Sequence, residues 1–244
     1  MRRGASLLLA LTLIAGVFTF AFSTVGYHWN WSGVWTYRLL FLQGWLFTLV
    51  LSAISLAASS LIGVIIALLR RTRFLPLRYF ARIYVEVIRG TPLLVQLMIF
   101  FYVVATAFGI ENRYVVGVLV LSVFAGAYIS EVIRAGIESV GKSQLDSARA
   151  IGLTTAQTYR YVIFPQAIRQ ILPPLAGQFA SLIKDSSLLS IVGISEFTLN
   201  TQNVNSYTSS PFESYIPLAI GYLILTLPIS LWTQSLEQRN RFDT

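Results

Sequence analysis

The chain contains no cysteine, one histidine and little charge: Asp, Glu, Lys and Arg make up 11% of its 244 residues. Without cysteine there is no disulfide framework and no thiolate metal site. The single histidine, His28, lies in an aromatic segment, which argues against zinc or haem held by protein ligands. A buried acid–base cluster of the kind an intramembrane enzyme needs is also missing. A soluble domain has about 25% charged residues, whereas apolar residues here reach 55%. This is the composition of an integral membrane protein. The net charge of +8 would otherwise point to nucleic acid. Its distribution points away from it, because the cations bracket apolar runs as the positive-inside rule expects.

About 20 apolar residues are needed to cross a bilayer. Runs that meet this lie at 5–22, 44–69, 83–108, 115–137, 171–194 and 214–234. Arg70, Arg71, Arg73, Arg78 and Arg82 fall in one connection, and Lys142, Arg149, Arg160 and Arg169 in another. Arg2 and Arg3 precede the first run, and Arg239 and Arg241 follow the last. The opposite loops hold only Arg38 and Arg113. This asymmetry predicts cytoplasmic termini and a cytoplasmic 138–170 loop, if residues 5–22 are retained. The first run has two readings. It fits a membrane anchor, and Arg2-Arg3 with Ala21-Phe22-Ser23 also fits a secretory signal with a small-residue cleavage site. Retention is the expectation. Residues 1–23 are then an anchor-like helix, 24–43 an external segment, and 44–244 the main transmembrane domain.

Residues 143–165 form a polar stretch in this apolar chain. Ser143 with Asp146, and Thr154 with Gln157, have the spacing of helix capping boxes. Gly152 stands where a C-cap glycine would fall, and Pro165 is expected to end the second segment. The spacing predicts two short helices joined at Gly152. A nearby match to the phosphate-loop pattern, Gly136 to Ser143, lacks the preceding strand that chemistry needs. Lys142 is therefore read as the end of a span.

Charges inside the spans are costly, about 2.5–3.5 kcal/mol each at a helix centre, and should face protein or water. The tetrapeptide EVIR occurs at 86–89 and 131–134. The pairs Glu86/Arg89 and Glu131/Arg134 are spaced to neutralise each other, either as interfacial anchors or as parts of a gate. Gly90-Thr91-Pro92 should bend the helix that follows the first copy. Lys184 and Asp185 are adjacent and cannot face each other, so each needs its own partner. The Asn-, Ser- and Thr-rich segment 195–213 is expected to be an outer loop.

The series Asp146-Ser147-Ala148, Gly152, Val162, Phe164, Pro165 resembles the coupling loop, or EAA motif, of ABC-importer permeases. That pattern is Glu-Ala-Ala, three residues, Gly, nine residues, then Ile-x-Leu-Pro. Asp, Ser, Val and Phe replace four of its residues and the spacing is intact. EVIRGTPLLVQ, AYISEVIRAGI and SLIKDSSLLSIVG also look like the polar amino-acid branch of these permeases. The resemblance implies an all-α polytopic membrane protein with a five-helix permease core plus the N-terminal helix. It implies no catalysis in this chain. ATP and magnesium would bind partner ATPase subunits that grip Asp146, Ser147, Ala148, Gly152, Leu153, Thr154 and Pro165. It also implies an external solute-binding protein docking partly on 195–213, a second permease copy or sister subunit, and residence in the bacterial inner membrane. Gln178, Ser181, Lys184 and Asp185 become candidates for the substrate pathway, and Glu86, Arg89, Glu131 and Arg134 for a cytoplasmic gate. A neutral Gln178, where transporters of basic amino acids have an acid, implies a neutral or acidic polar amino acid. The rival reading, an ion-coupled secondary transporter, would need an inverted repeat, which the sequence does not show.

Overall fold

A computed structural model describes residues 2–24 and 26–240. Arg241 lies outside the described residues, as do the side chains of Arg2, Arg3 and Arg239. The fold is all-α and polytopic. Helix α1 is Arg2–Thr24 and α2 is Trp31–Thr36. Helix α3, Arg38–Leu69, starts before the expected residue 44 and is followed by α4, Leu75–Gly90. Helix α5, Leu93–Ile99, continues through a π turn, Phe100–Val104, into α6, Ala105–Ala107. Helix α7 is Arg113–Glu138. Helices α3 and α7 finish at the same end of the bundle, the loop end.

Membrane helices gain little from burying apolar surface against each other, so close packing between small residues holds them together. Helix α3 shows this directly. Thr48, Ser52, Ser55, Ser59, Gly63 and Ala67 are buried along one stripe. Helix α7 packs against that stripe. A Cβ on Gly63 would stand 2.5 Å from Cγ2 of Ile129, and one on Gly126 would stand 2.6 Å from Cγ2 of Ile62. The two glycines let the backbones approach. Around this contact, Leu51, Leu97, Leu121, Leu182, Leu189 and Ile194 form the main apolar core.

The expected single span at 83–108 is instead two helical pieces that meet at 112°. Pro92 has no N–H and restricts Thr91 to the extended conformation it adopts, φ −122°. Gln96 fills the break: its Nε2 donates to the carbonyls of Ile88 and Thr91 at 2.7 and 3.1 Å. The connection of arginines is also shorter than expected. Helix α4 starts at Leu75, with Pro76 in its first turn, so Arg78 and Arg82 are helical. Helix α4 is amphipathic, with Ala81, Val85 and Ile88 facing the bundle and Tyr79, Ile83 and Val87 exposed.

At the other end, residues 195–213 are largely helical, which corrects the loop expectation. Helix α11, Phe197–Thr208, is capped by Glu196, whose carboxylate accepts from the N–H groups of Thr198 and Leu199 and from the Tyr222 hydroxyl. Phe197, Thr201 and Val204 recur at helical spacing and are buried. Helix α12, Pro211–Asn240, closes the bundle against α10, Phe164–Asp185. Helix α1 touches the remainder through Phe22, whose ring lies near those of Trp29 and Phe212.

Candidate functional site

The 138–170 segment folds from local chemistry outward. Helix α8, Lys142–Ala150, begins one residue after Gly141, with no side-chain cap, so the Ser143/Asp146 capping box does not form. Val140 is the cause: it packs into a small core with Ile163 and Ala167, which fixes where the chain turns. Asp146 pairs instead with Arg149 at 3.2 Å, on the surface. Helix α8 ends as a Schellman motif. Gly152 has φ +77°, its N–H donates to Arg149 O, and Leu153 N–H donates to Ala148 O, both at 3.0 Å. Thr154 then opens α9, Thr155–Thr158, with the expected capping box: Thr154 N donates to Gln157 Oε1 at 2.8 Å, and Gln157 N donates to Thr154 Oγ1 at 3.3 Å.

Pro165 does not end this segment. A π turn, Tyr159–Ile163, joins α9 directly to α10, Phe164–Asp185. Pro165 sits in the first turn of α10, where the wider turn before it tolerates the missing N–H. The loop is thus continuous with a membrane helix. Asp146, Ser147, Gly152, Thr154 and Pro165 are exposed, Leu153 is half-buried, and Ala148 is buried beneath them. The sequence reasoning missed Ile151, which stands 75% exposed beside Gly152. Its signal was an apolar residue at the tip of a polar loop. The phosphate-loop match straddles the end of helix α7, and no strand occurs among the described residues.

Above the loop, Glu131 is the centre of a charge cluster. Its carboxylate meets Arg70, Arg89 at 3.7 Å and Arg134 at 2.8 Å, and Arg134 also meets Glu138. The Glu131/Arg134 pair was legible from its spacing. The Glu86/Arg89 pair does not form among the described residues, because Arg89 turns toward Glu131 and lies 5.4 Å from the Tyr128 ring centre. Burial first, and then the guanidinium groups of Arg134 and Arg82, holds Arg70 below the usual arginine range.

Helix α10 carries the remaining candidates. Gln178, Ser181, Lys184 and Asp185 fall on one face, half-buried or exposed, while Ala176, Ala180 and Ile183 on the other sides are buried. Neither Lys184 nor Asp185 forms an ion pair among the described residues. A Cβ on Gly177 would meet nothing within 4 Å. The chain therefore leaves a polar stripe open on a helix of membrane length.

The family model described as binding-protein-dependent transport system inner membrane component matches residues 59–242. The chain belongs to that family. The permease is 38% identical over 200 residues to the probable glutamine ABC transporter permease protein GlnM of Bacillus subtilis, covering 82% of this chain and 93% of the relative. It is 33% identical over 214 residues to the glutamine transport system permease protein GlnP of Escherichia coli K12, covering 87% and 98%. A crystal structure of an amino acid ABC transporter with histidines superposes with a TM-score of 0.81 at 37% identity, covering 87% of this chain and 100% of that one. The inward-facing MetNI methionine ABC transporter, at 18% identity and a TM-score of 0.66, shares the fold. The permease is thus an integral membrane subunit of an amino-acid ABC importer, a transport component and not an enzyme.

Proposed function

We propose that the permease supplies half of a translocation pathway for a polar amino acid, neutral or acidic, and couples it to a separate ATPase through residues 143–165. The observation that carries this is the uncovered polar stripe on α10. Polar and charged groups at membrane depth need protein or water, and a second permease, a copy or a sister subunit, would enclose the stripe around water. Because α9, the π turn and α10 form one helical run, force applied at Gly152 reaches the stripe. The partner ATPase would hold ATP and magnesium and press on Asp146, Ser147, Ala148, Gly152, Leu153, Thr154 and Pro165. A solute-binding protein would dock at the opposite end, on α11. Glu131 with Arg70, Arg89 and Arg134 would act as the gate at the loop end, with Glu86 nearby. The arginine asymmetry supports a loop end in the cytoplasm of an inner-membrane protein. Residues 44–244 form the transporting domain in this reading, and 1–23 lie outside it as an anchor.

The absence of native cysteine makes the test direct. Ser181→Cys in the assembled transporter is expected to react with a water-soluble maleimide, with protection by substrate. Leu172→Cys, on the far side of α10, should stay unreacted. Equal labelling of both positions would remove the pathway assignment.

The side chain at 178 bears on substrate class. Gln178 can donate and accept hydrogen bonds, and a neutral site avoids the desolvation cost of an unpaired charge. Gln178→Glu is expected to weaken glutamate binding to the detergent-purified complex by about tenfold or more, since like charges repel in a site screened from water, with glutamine less affected. Calorimetry on both forms decides this. Tighter arginine than glutamate binding by the wild type would overturn the substrate assignment.

A further inference from the structure

Five arginines line one cavity of about 220 Å³ at the loop end: Arg70, Arg71, Arg78, Arg82 and Arg134, with Glu138 the single carboxylate among its lining residues. Arg70 and Arg134 are engaged by Glu131, and Arg134 also by Glu138. Arg71, Arg78 and Arg82 form no ion pair among the described residues. The cavity therefore keeps three guanidinium groups without an ion pair among the described residues, and each is a planar fork of donors that suits phosphate oxygens.

This cavity is not isolated. It shares Ala67, Arg71 and Ile137 with a second one of about 510 Å³, whose lining is otherwise almost wholly apolar. Val64, Leu68, Ile133 and Ile168 belong to that lining, so it follows α3, α7 and α10 away from the arginines toward the bilayer centre. Beside the arginines, α4 exposes Tyr79, Phe80 and Ile83, the apolar face of an amphipathic helix suited to a membrane interface. The gate function uses Arg70 and Arg134 and leaves Arg71, Arg78, Arg82 and the groove without a role.

We propose that the arginine cavity and the groove together form a site for an anionic glycerophospholipid. The phosphate headgroup meets Arg71, Arg78 and Arg82, and one acyl chain lies between α3, α7 and α10. Charge and apolar surface each fit this ligand at the right depth: guanidinium groups at the interface, hydrocarbon beneath. A free phosphate would use the cavity alone and leave the groove unexplained. An acidic protein surface would satisfy the arginines and leave the membrane-depth groove unfilled. The site does not depend on which amino acid is carried.

Native mass spectrometry of the delipidated transporter, re-exposed to dioleoylphosphatidylglycerol and dioleoylphosphatidylcholine in one micelle, tests this. Phosphatidylglycerol should be retained in preference. Arg78→Gln, at an exposed position, should weaken that retention about fivefold, the scale for one interfacial arginine, and the triple Arg71→Gln, Arg78→Gln, Arg82→Gln variant about a hundredfold. Arg73→Gln, in the connection between α3 and α4 but outside the lining, should change nothing. Val64→Trp should fill the groove and lower retention with every arginine intact. Equal retention of the two lipids, displacement of phosphatidylglycerol by excess inorganic phosphate, or a triple variant that keeps its lipid would each overturn the proposal. So would a triple variant that keeps its lipid and loses a copurifying ATPase, which would assign the arginines to a protein partner.

Discussion

Gly152→Leu is expected to cut uptake by more than tenfold while the protein still inserts and accumulates normally. The backbone at Gly152 has φ +77°, where a residue with a Cβ is disfavoured by about 1–2 kcal/mol. That cost alone would loosen the end of α8 without unfolding a membrane bundle. Within the chain, a Cβ at this position meets nothing within 4 Å, so no internal clash adds to it. The large loss must therefore come from outside the chain, at the surface where Gly152 and Ile151 are presented. Gly152→Asn separates the two effects, because asparagine tolerates the left-handed conformation yet fills the same space. Uptake and substrate-stimulated ATP hydrolysis should be measured together in proteoliposomes. In Gly152→Leu, hydrolysis should lose its dependence on substrate. Normal coupling in that variant would end the assignment of this loop.

Glu131→Gln is expected to lower stability by about 2 kcal/mol. Removing one member of a buried ion cluster costs about 3–5 kcal/mol, because the remaining charges stay buried and unpaired. The figure is reduced here by solvent: Glu131 and Arg70 are 16% and 20% exposed, but Arg134 and Arg89 are 38% and 45% exposed. Glu86→Gln, on an exposed side chain with no ion pair among the described residues, should stay within about 0.5 kcal/mol. Unfolding midpoints of the purified protein in one detergent compare the two. The order would invert if the sequence-local Glu86/Arg89 pair, and not the Glu131 cluster, held this end together.

These residues also show what a sequence can and cannot disclose. Gly152 and the Thr154/Gln157 box were legible because each is a local backbone problem with a local solution. The bend at Gly90-Thr91-Pro92 was legible for the same reason, although its size, which splits the span in two, was not. Ser143 and Asp146 had equally good local spacing and failed, because Val140 is anchored by Ile163 and Ala167, far along the chain. Helix α11 looked like a loop by composition, and packing of Phe197, Thr201 and Val204 decided otherwise. Arg70 and Glu131 lie 61 positions apart, so no spacing rule could join them. The buried stripe of small residues on α3 was present in the sequence at three- and four-residue intervals and went unread, since long apolar runs were the pattern sought.

The π turn at Tyr159–Ile163 has a consequence for how this helix tolerates change in length. Such a turn takes up one extra residue within an otherwise regular helix, so the faces before and after it stay aligned. Shortening this turn by one residue would restore plain α-helix and leave Gln157 and Gln178 pointing as they do now. The same deletion two turns further on has no slack to absorb it. Every later side chain would swing by about 100°, carrying Lys184 and Asp185 out of the stripe and toward the lipid. Indels in this helix should thus be confined to one short window, a phase constraint that acts on chain length and leaves residue identity free.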